Sequence, residues 1–230
     1  MLNTPALHFV QFWLDTIKEW EKETGKYAII ALSTTKDVQD AILADKERAS
    51  VVDVIDIRYW HYQADGKTYE PKGGQNLAPR QHARLLKPKA SSFEQVYRAV
   101  AEYRQKYPEK AVMYSGDGFD ANGWAVLMAG GSLPAVPTLS KEFLNAASSM
   151  KLVSLPGLSP NQYALSNNQS YIIYNASSNE VQLDLAKGSY VIHRINPKTG
   201  SNHNETVKNG GKISLKNSTS NPEVLWISKQ

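Results

Sequence analysis

Carboxylates, guanidinium groups and aromatic rings gather at a few points in this chain. The segment from Val52 to Trp60, with Asp53, Asp56, Arg58 and Tyr59 set among Val and Ile, is the richest of them. Its β-branched, alternating character reads as a strand. Alternation puts Val52, Val54, Asp56 and Arg58 on one side and Asp53, Ile55, Ile57 and Tyr59 on the other. Asp56 and Arg58 then stand together near the C-terminal end, with Trp60, His61 and Tyr62 directly after. A carboxylate, a guanidinium and an imidazole hydrogen-bond to hydroxyls, and a ring such as Trp60 stacks on an apolar face, so the cluster suits a polyhydroxylated ligand. The alternative is a structural ion pair between Asp56 and Arg58.

A second cluster follows Tyr114, in the run Ser115, Gly116, Asp117, Gly118, Phe119 and Asp120. The glycines let the backbone turn sharply beside a ligand. Asp117 is the better candidate for a catalytic carboxylate, Asp120 the lesser, and Ser115 offers a hydroxyl. The alternative is a glycine-rich turn whose aspartates cap the next helix. A long irregular stretch, 60–91, supplies Arg80 and His82 as candidate ligand contacts in one wall of a cleft, since loops of that length are usually functional. Ser33, Thr34 and Thr35 either contact ligand hydroxyls or cap a helix. His61 and His82 make no metal-ligand spacing, and the Gly-Gly pairs at 73–74 and 130–131 lack the spacing of a phosphate loop. No cofactor and no metal is expected.

The elements that position these residues alternate. Thr4 and Pro5 open an amphipathic helix over 4–24 whose apolar face is Phe9, Trp13, Ile17 and Trp20. Strands are expected at Tyr27–Leu32, Val51–Tyr59, Ala111–Tyr114 and Leu133–Val136. Helices are expected at Lys36–Lys46, from the Ser92 cap to Tyr107, at Trp124–Ala129 and at Leu139–Met150. This βα alternation implies a parallel sheet, either an open doubly wound one or half of a barrel. Beyond residue 150 the helical period gives way to short strands at Tyr171–Tyr174, Glu180–Leu185, Ser189–Ile195, Lys212–Leu215 and Val224–Ile227. Turn signals at 196–200 and 209–211 separate them, which indicates a small antiparallel sandwich or barrel. The expected domain boundary lies near Met150, giving 1–150 and 151–230.

Composition excludes several classes. The chain is 41% hydrophobic and 21% charged, with a net charge of +4 and no cysteine. Disulfide scaffolds, thiolate metal sites and cysteine nucleophiles are therefore out. Basic residues form no stripe of the kind a nucleic-acid binder carries, so no nucleic-acid partner is expected. No apolar run approaches the roughly 20 residues of a membrane span. Met1–Val10 lacks the features of a signal peptide. A periplasmic or secreted location is expected if the chain is part of a longer exported precursor.

The tail carries a resemblance. Tyr171–Tyr174, Val181–Leu185, Tyr190 to the Asn196-Pro197-Lys198-Thr199-Gly200 turn, and Glu223–Ile227 resemble a β-sandwich sometimes labelled collagen-binding. That module closes apiosidase-like glycoside hydrolases of gut and soil bacteria. Val52–Trp60 and Gly123–Gly131 resemble later strands of the barrel that precedes it. The resemblance implies an α/β plus all-β chain, the C-terminal half of a (β/α)8 barrel followed by a small antiparallel β-sandwich. It also implies glycoside hydrolysis on plant or host glycans, which takes two carboxyl groups across the scissile bond. Asp117, as nucleophile or base, and Asp56 would be the catalytic carboxylates, and Arg58, Trp60, His61, Ser115, Asp120, Arg80 and His82 would bind sugar. The general acid would lie upstream of residue 1. In the family a glutamate nucleophile stands at the end of the third strand, and here no glutamate follows Tyr114. That departure favours a second reading, a non-catalytic glycan-binding or assembly module descended from such an enzyme. A third, a self-contained α/β enzyme of unrelated chemistry, lacks any nucleophile–histidine–acid pattern. A half barrel leaves open strand edges, which invite self-association or pairing with a missing N-terminal half.

Overall fold

Caps place the helices of the first part as firmly as periodicity does. The computed structural model describes residues 7–69, 91–116, 118–167, 170–177, 179–207, 210–216 and 222–230. Helix α1 (Leu7–Thr24) buries Val10 and Leu14 and ends before Gly25, whose φ of 65° suits a residue without Cβ. Strand β1 (Ala31–Leu32) follows, then α2 (Lys36–Ala44) and α3 (Lys46–Ala49). Asp45 separates the two helices, because its side chain accepts the Glu47 and Arg48 N–H groups and so starts α3 where α2 stops. Next come β2 (Val54–Ile57), a hairpin of β3 (His61–Tyr62) and β4 (Thr68–Tyr69), helix α4 (Phe93–Lys106) and β5 (Ala111–Tyr114). Ser92 and Gln95 form a full capping box on α4.

Strands β1, β2 and β5 make a parallel three-stranded sheet in that order, with Leu32 beside Ile55 and Ile55 beside Val112. The row Leu32, Ile55, Ile57, Val112 and Tyr114 is buried on one face, and α4 packs on β2 and β5 through Val96, Ala99, Val100 and Tyr103. The opposite row differs. Ala31 is exposed, Val54, Ala111 and Met113 are half-buried, and Asp56 alone is buried.

Two expected strands are corrected. The strand expected over 27–32 contracts to Ala31–Leu32, because the Ile30 N–H is taken by the Asp53 carboxylate rather than by a ladder partner. Leu133–Val136 forms no strand. Leu133 sits at φ 51° and two nearby prolines, Pro134 and Pro137, lack N–H donors, while just before the segment the Ser132 N–H donates to the Val112 carbonyl at 2.7 Å.

By contacts the chain divides into residues 1–122 with 131–134, and 123–130 with 135–230. The second unit opens with α5 (Gly123–Met128) and α6 (Lys141–Ser148). Eight strands follow: β6 (Lys151–Val153), β7 (Gln162–Ser166), β8 (Ser170–Asn175), β9 (Val181–Leu185), β10 (Tyr190–Ile195), β11 (Asn202–Val207), β12 (Gly211–Leu215) and β13 (Glu223–Lys229). Six of them make an antiparallel sheet in the order β11-β10-β13-β8-β7-β6, and β9 pairs with β12 in a separate ribbon. Val181, Leu183 and Leu215 of the ribbon share one core with Ile173, Ile192 and Leu225 of the sheet. On the other face Tyr174 and Trp226 meet Trp124 of α5 and Phe143 of α6 through tilted and edge-on ring contacts. Helix α5 lies so close that a Cβ on Gly123 would stand 1.7 Å from the Ala135 carbonyl oxygen. The helices of 123–148 therefore group with the antiparallel sheet rather than with the parallel one.

Candidate functional site

The buried Asp56 is the centre of the most organised polar group on the parallel sheet. It stands near the C-terminal end of β2, the central strand. Ser33, just past β1, donates its hydroxyl to Oδ2 at 2.8 Å, and Ser115, just past β5, donates to Oδ1 at 2.6 Å. Each strand thus sends one polar side chain to the same point. The in-register parallel pairing requires this, since Ser33, Asp56 and Ser115 fall in the same face parity. A buried carboxylate without such donors would be costly, and the two hydroxyls answer that need.

Behind Asp56 a second buried residue holds the strand ends. Gln39 of α2 is fully buried. Its Nε2 donates to the Leu32 carbonyl at 2.9 Å and the Asp56 carbonyl at 2.8 Å, and its Oε1 accepts the Trp60 indole N–H at 2.8 Å. One amide therefore ties the end of β1, the end of β2 and the turn after β2. The loop after β5 is pinned in the same manner. Asn122 Nδ2 donates to the carbonyls of Ser91 and Gly118 at 3.0 and 2.9 Å, and the Tyr114 hydroxyl reaches Ser91 Oγ at 3.1 Å.

A charged network lies among α2, β3 and α4. Lys36 pairs with Asp40 and Glu102, both at 2.9 Å, and its ammonium lies 5.1 and 5.0 Å from the ring centres of Trp60 and Tyr103. Glu102 also accepts from Lys106 and from the Tyr62 hydroxyl, and Tyr103 donates to Asp40. Burial alone would push the Glu102 carboxyl up, but the hydrogen bonds from Lys106, Tyr62 and Lys36 outweigh it and hold it at about 2. Burial, reinforced by Glu102, raises the Tyr62 phenol to about 12. Burial and the Asp40 charge push Tyr103 far above the usual tyrosine range.

The structure sorts the expected site residues. Asp56 and Ser115 come together, and Ser33 joins them. Arg58 is exposed and lies with its guanidinium 5.6 Å from the Tyr59 ring centre, and among the described residues no ion pair joins it to Asp56. The structural-pair alternative is thereby set aside. Trp60 is corrected as a stacking platform: it is buried, its N–H is spent on Gln39, and Tyr62 and Tyr103 pack on its ring. His61 is half-buried on the β3–β4 hairpin, opposite Tyr69. Asp120 is exposed in the loop after β5, next to the partly exposed Phe119. Asp117, Arg80 and His82 lie outside the described residues. Among the described residues no group of His, Asp and Glu could hold a metal ion, and no helix is long and apolar enough to cross a membrane. Gln39 escaped the sequence reading. Its signal was there, a polar residue in phase with Val38, Ile42 and Leu43 on the buried side of α2.

Chemically, the group around Asp56 can accept hydrogen bonds from ligand hydroxyls in exchange for those of Ser33 and Ser115. It is the one buried carboxylate among the described residues of the first unit.

Comparison with known proteins places these features. A family model described as "Domain of unknown function (DUF6298)" matches residues 3–150. A search of curated proteins found no match. Among solved structures, the chain is similar to a glycoside hydrolase family 5 protein from Bacteroides vulgatus ATCC 8482, at 12% identity and a TM-score of 0.56, covering 94% of this chain and 58% of that one. It also matches a structure described as a glycoside hydrolase, at 12% identity and a TM-score of 0.49, over 80% of this chain and 54% of that one. A monomeric beta-xylosidase from Caulobacter crescentus CB15 matches at 10% identity and a TM-score of 0.38, over 97% and 65%. The chain thus spans a little over half the length of the first two structures it matches. At this identity the likeness to the Bacteroides protein is one of fold.

Proposed function

The chain belongs to the DUF6298 family, and from that premise we propose that it is a carbohydrate-active region of the glycoside-hydrolase type. In this reading the parallel strands and their helices within 1–122 derive from the C-terminal half of a (β/α)8 barrel, and the antiparallel strands of 151–230 form an accessory β-sandwich, as in apiosidase-like enzymes of bacteria. The observation that carries it is the convergence of Ser33, Asp56 and Ser115 at the C-terminal ends of three parallel strands. Barrel enzymes bind and transform their ligands at that end. The half-exposed row Val54, Ala111 and Met113 agrees with a sheet face that would line a barrel interior. Asp56 binds sugar hydroxyls, Asp117 is the nucleophile or base, and Arg58, His61, Asp120, Arg80 and His82 line the cleft.

Calorimetric titration of the chain with a panel of soluble plant and host oligosaccharides tests the site. A hydrogen bond to a charged group contributes about 1.5–3 kcal/mol, so Asp56→Asn should weaken binding roughly tenfold or more. Unchanged affinity in that variant would remove the basis of the reading.

A specific observation favours the second reading, a non-catalytic glycan-binding module. Asp56 is the one buried carboxylate among the described residues of the first unit, whereas hydrolysis takes two, and no glutamate follows Tyr114. Release of reducing sugar by the purified chain, abolished in Asp117→Asn, would reject that second reading. Binding without release would support it.

A further inference from the structure

Helix α1 satisfies one side within its own unit. Val10 and Leu14 are buried, Lys18 pairs with Glu47, and Asp15 pairs with Arg48. The adjoining flank carries Phe9, Phe12, Trp13 and Trp20, which recur at helical spacing and lie at the surface. Phe9 and Phe12 both meet the Trp13 ring edge-on, at 6.3 and 5.9 Å between centres, so the rings form one cluster. Exposed apolar side chains continue past the helix. The Ala28 N–H donates to the Glu21 carboxylate and lays the next segment along the last turns of α1, where Tyr27 and Ile29 are exposed as well.

These six side chains are between 39% and 78% exposed. At about 200 Å² for a large apolar residue, they present roughly 700 Å² per chain. That is close to the ~800 Å² each partner contributes to a standard stable interface. The surface is the convex flank of a helix, so it fits a matching protein face rather than a small ligand, which needs a concavity.

We propose that this flank is a self-complementary interface, and that its occupant is a second copy of the chain. The α1 flank of one copy packs on the α1 flank of the other about a two-fold axis, with Phe12 and Trp13 central and Trp20, Tyr27 and Ile29 extending the contact. A two-fold contact uses the same patch on both sides and closes at two copies. The inference does not depend on the carbohydrate reading, and its test does not measure glycan.

Light scattering after size exclusion, across micromolar concentrations, reads the result directly. The wild-type chain should show twice its 25.6 kDa mass. Phe12→Asp and, separately, Trp20→Asp should weaken association at least about tenfold, as loss of an aromatic anchor does. Leu144→Asp, an equally exposed apolar position on α6, should leave the dimer intact. Far-UV circular dichroism confirms that each variant is folded. A wild-type monomer throughout the range overturns the proposal. So does a dimer indifferent to both α1 substitutions, or a mass above two copies.

Discussion

Replacing Gln39 by leucine keeps the side-chain volume of a fully buried position but removes three hydrogen bonds at once. The Trp60 indole N–H loses the partner it has, which costs about 1–3 kcal/mol for a buried donor. The Leu32 and Asp56 carbonyls each lose a donor at roughly 0.5–1.5 kcal/mol. Leucine recovers a little through added apolar contact, so the net loss should be about 2–4 kcal/mol. That is a large share of the roughly 5–15 kcal/mol that holds a typical domain. Urea denaturation followed by Trp fluorescence measures it, with the slope of the transition compared to confirm that the unfolded state is unchanged. Gln39→Glu should lose at least as much at neutral pH, because a buried carboxylate faces two carbonyl oxygens, and should recover part of it in acid as the carboxyl gains a proton. A loss below about 0.5 kcal/mol for Gln39→Leu would refute the argument, since surface substitutions outside any network stay within that range.

The remaining predictions concern charge, packing and the site itself. Glu102 sits below its ordinary value of 4.5, at about 2, so its contribution to stability is fully present above pH 4.5 and is lost as pH falls towards 2. Urea midpoints between those limits should fall with pH in the wild type and fall less steeply in Glu102→Gln. Tyr62, raised from 10.0 to about 12, contributes stability that is complete below pH 10 and lost as pH rises through 12, so Tyr62→Phe should flatten the alkaline limb of the same profile. Gly123→Ala should destabilise the second unit by about 3 kcal/mol in thermal denaturation, because the new methyl meets the backbone carbonyl of Ala135, which cannot rotate away. If Ala is tolerated there, helix α5 does not approach that carbonyl as described.

Local chemistry was legible from the residues alone wherever one short segment decided the outcome. Ser92 declared the start of α4, alternation declared β2, and the change of period after residue 150 declared most of the antiparallel strands. Five strands went unread: β3 and β4, which form a hairpin within the stretch expected to be irregular, and β6, β7 and β11. In β6, β7 and β11, Gln162, Ser166, Asn202 and Asn204 place amides and hydroxyls where an apolar alternation would otherwise show, and what holds these segments is backbone pairing to the adjoining strands, β6 to β7, β7 to β8 and β11 to β10. Leu133–Val136 erred in the other direction, since apolar content suggested a strand while two prolines and a positive φ denied it a ladder.

The sequence by itself determined which side chains stand at the strand ends, because parity along an extended chain is a local property. Asp56 and Ser115 were identified in that way. Only the tertiary structure decided what they do there. The parallel register brought Ser33 to the same carboxylate, a buried amide from α2 tied the strand ends together, and the packing of α2, β3 and α4 turned Trp60 inward and left Arg58 outside. Those outcomes depend on contacts between elements far apart in the chain, for which neither spacing nor composition carries a signal. The same holds for α1. Its amphipathic period told that one stripe is apolar, but only the packed unit showed that Val10 and Leu14 suffice for the inner side and that Phe9, Phe12, Trp13 and Trp20 remain outside it.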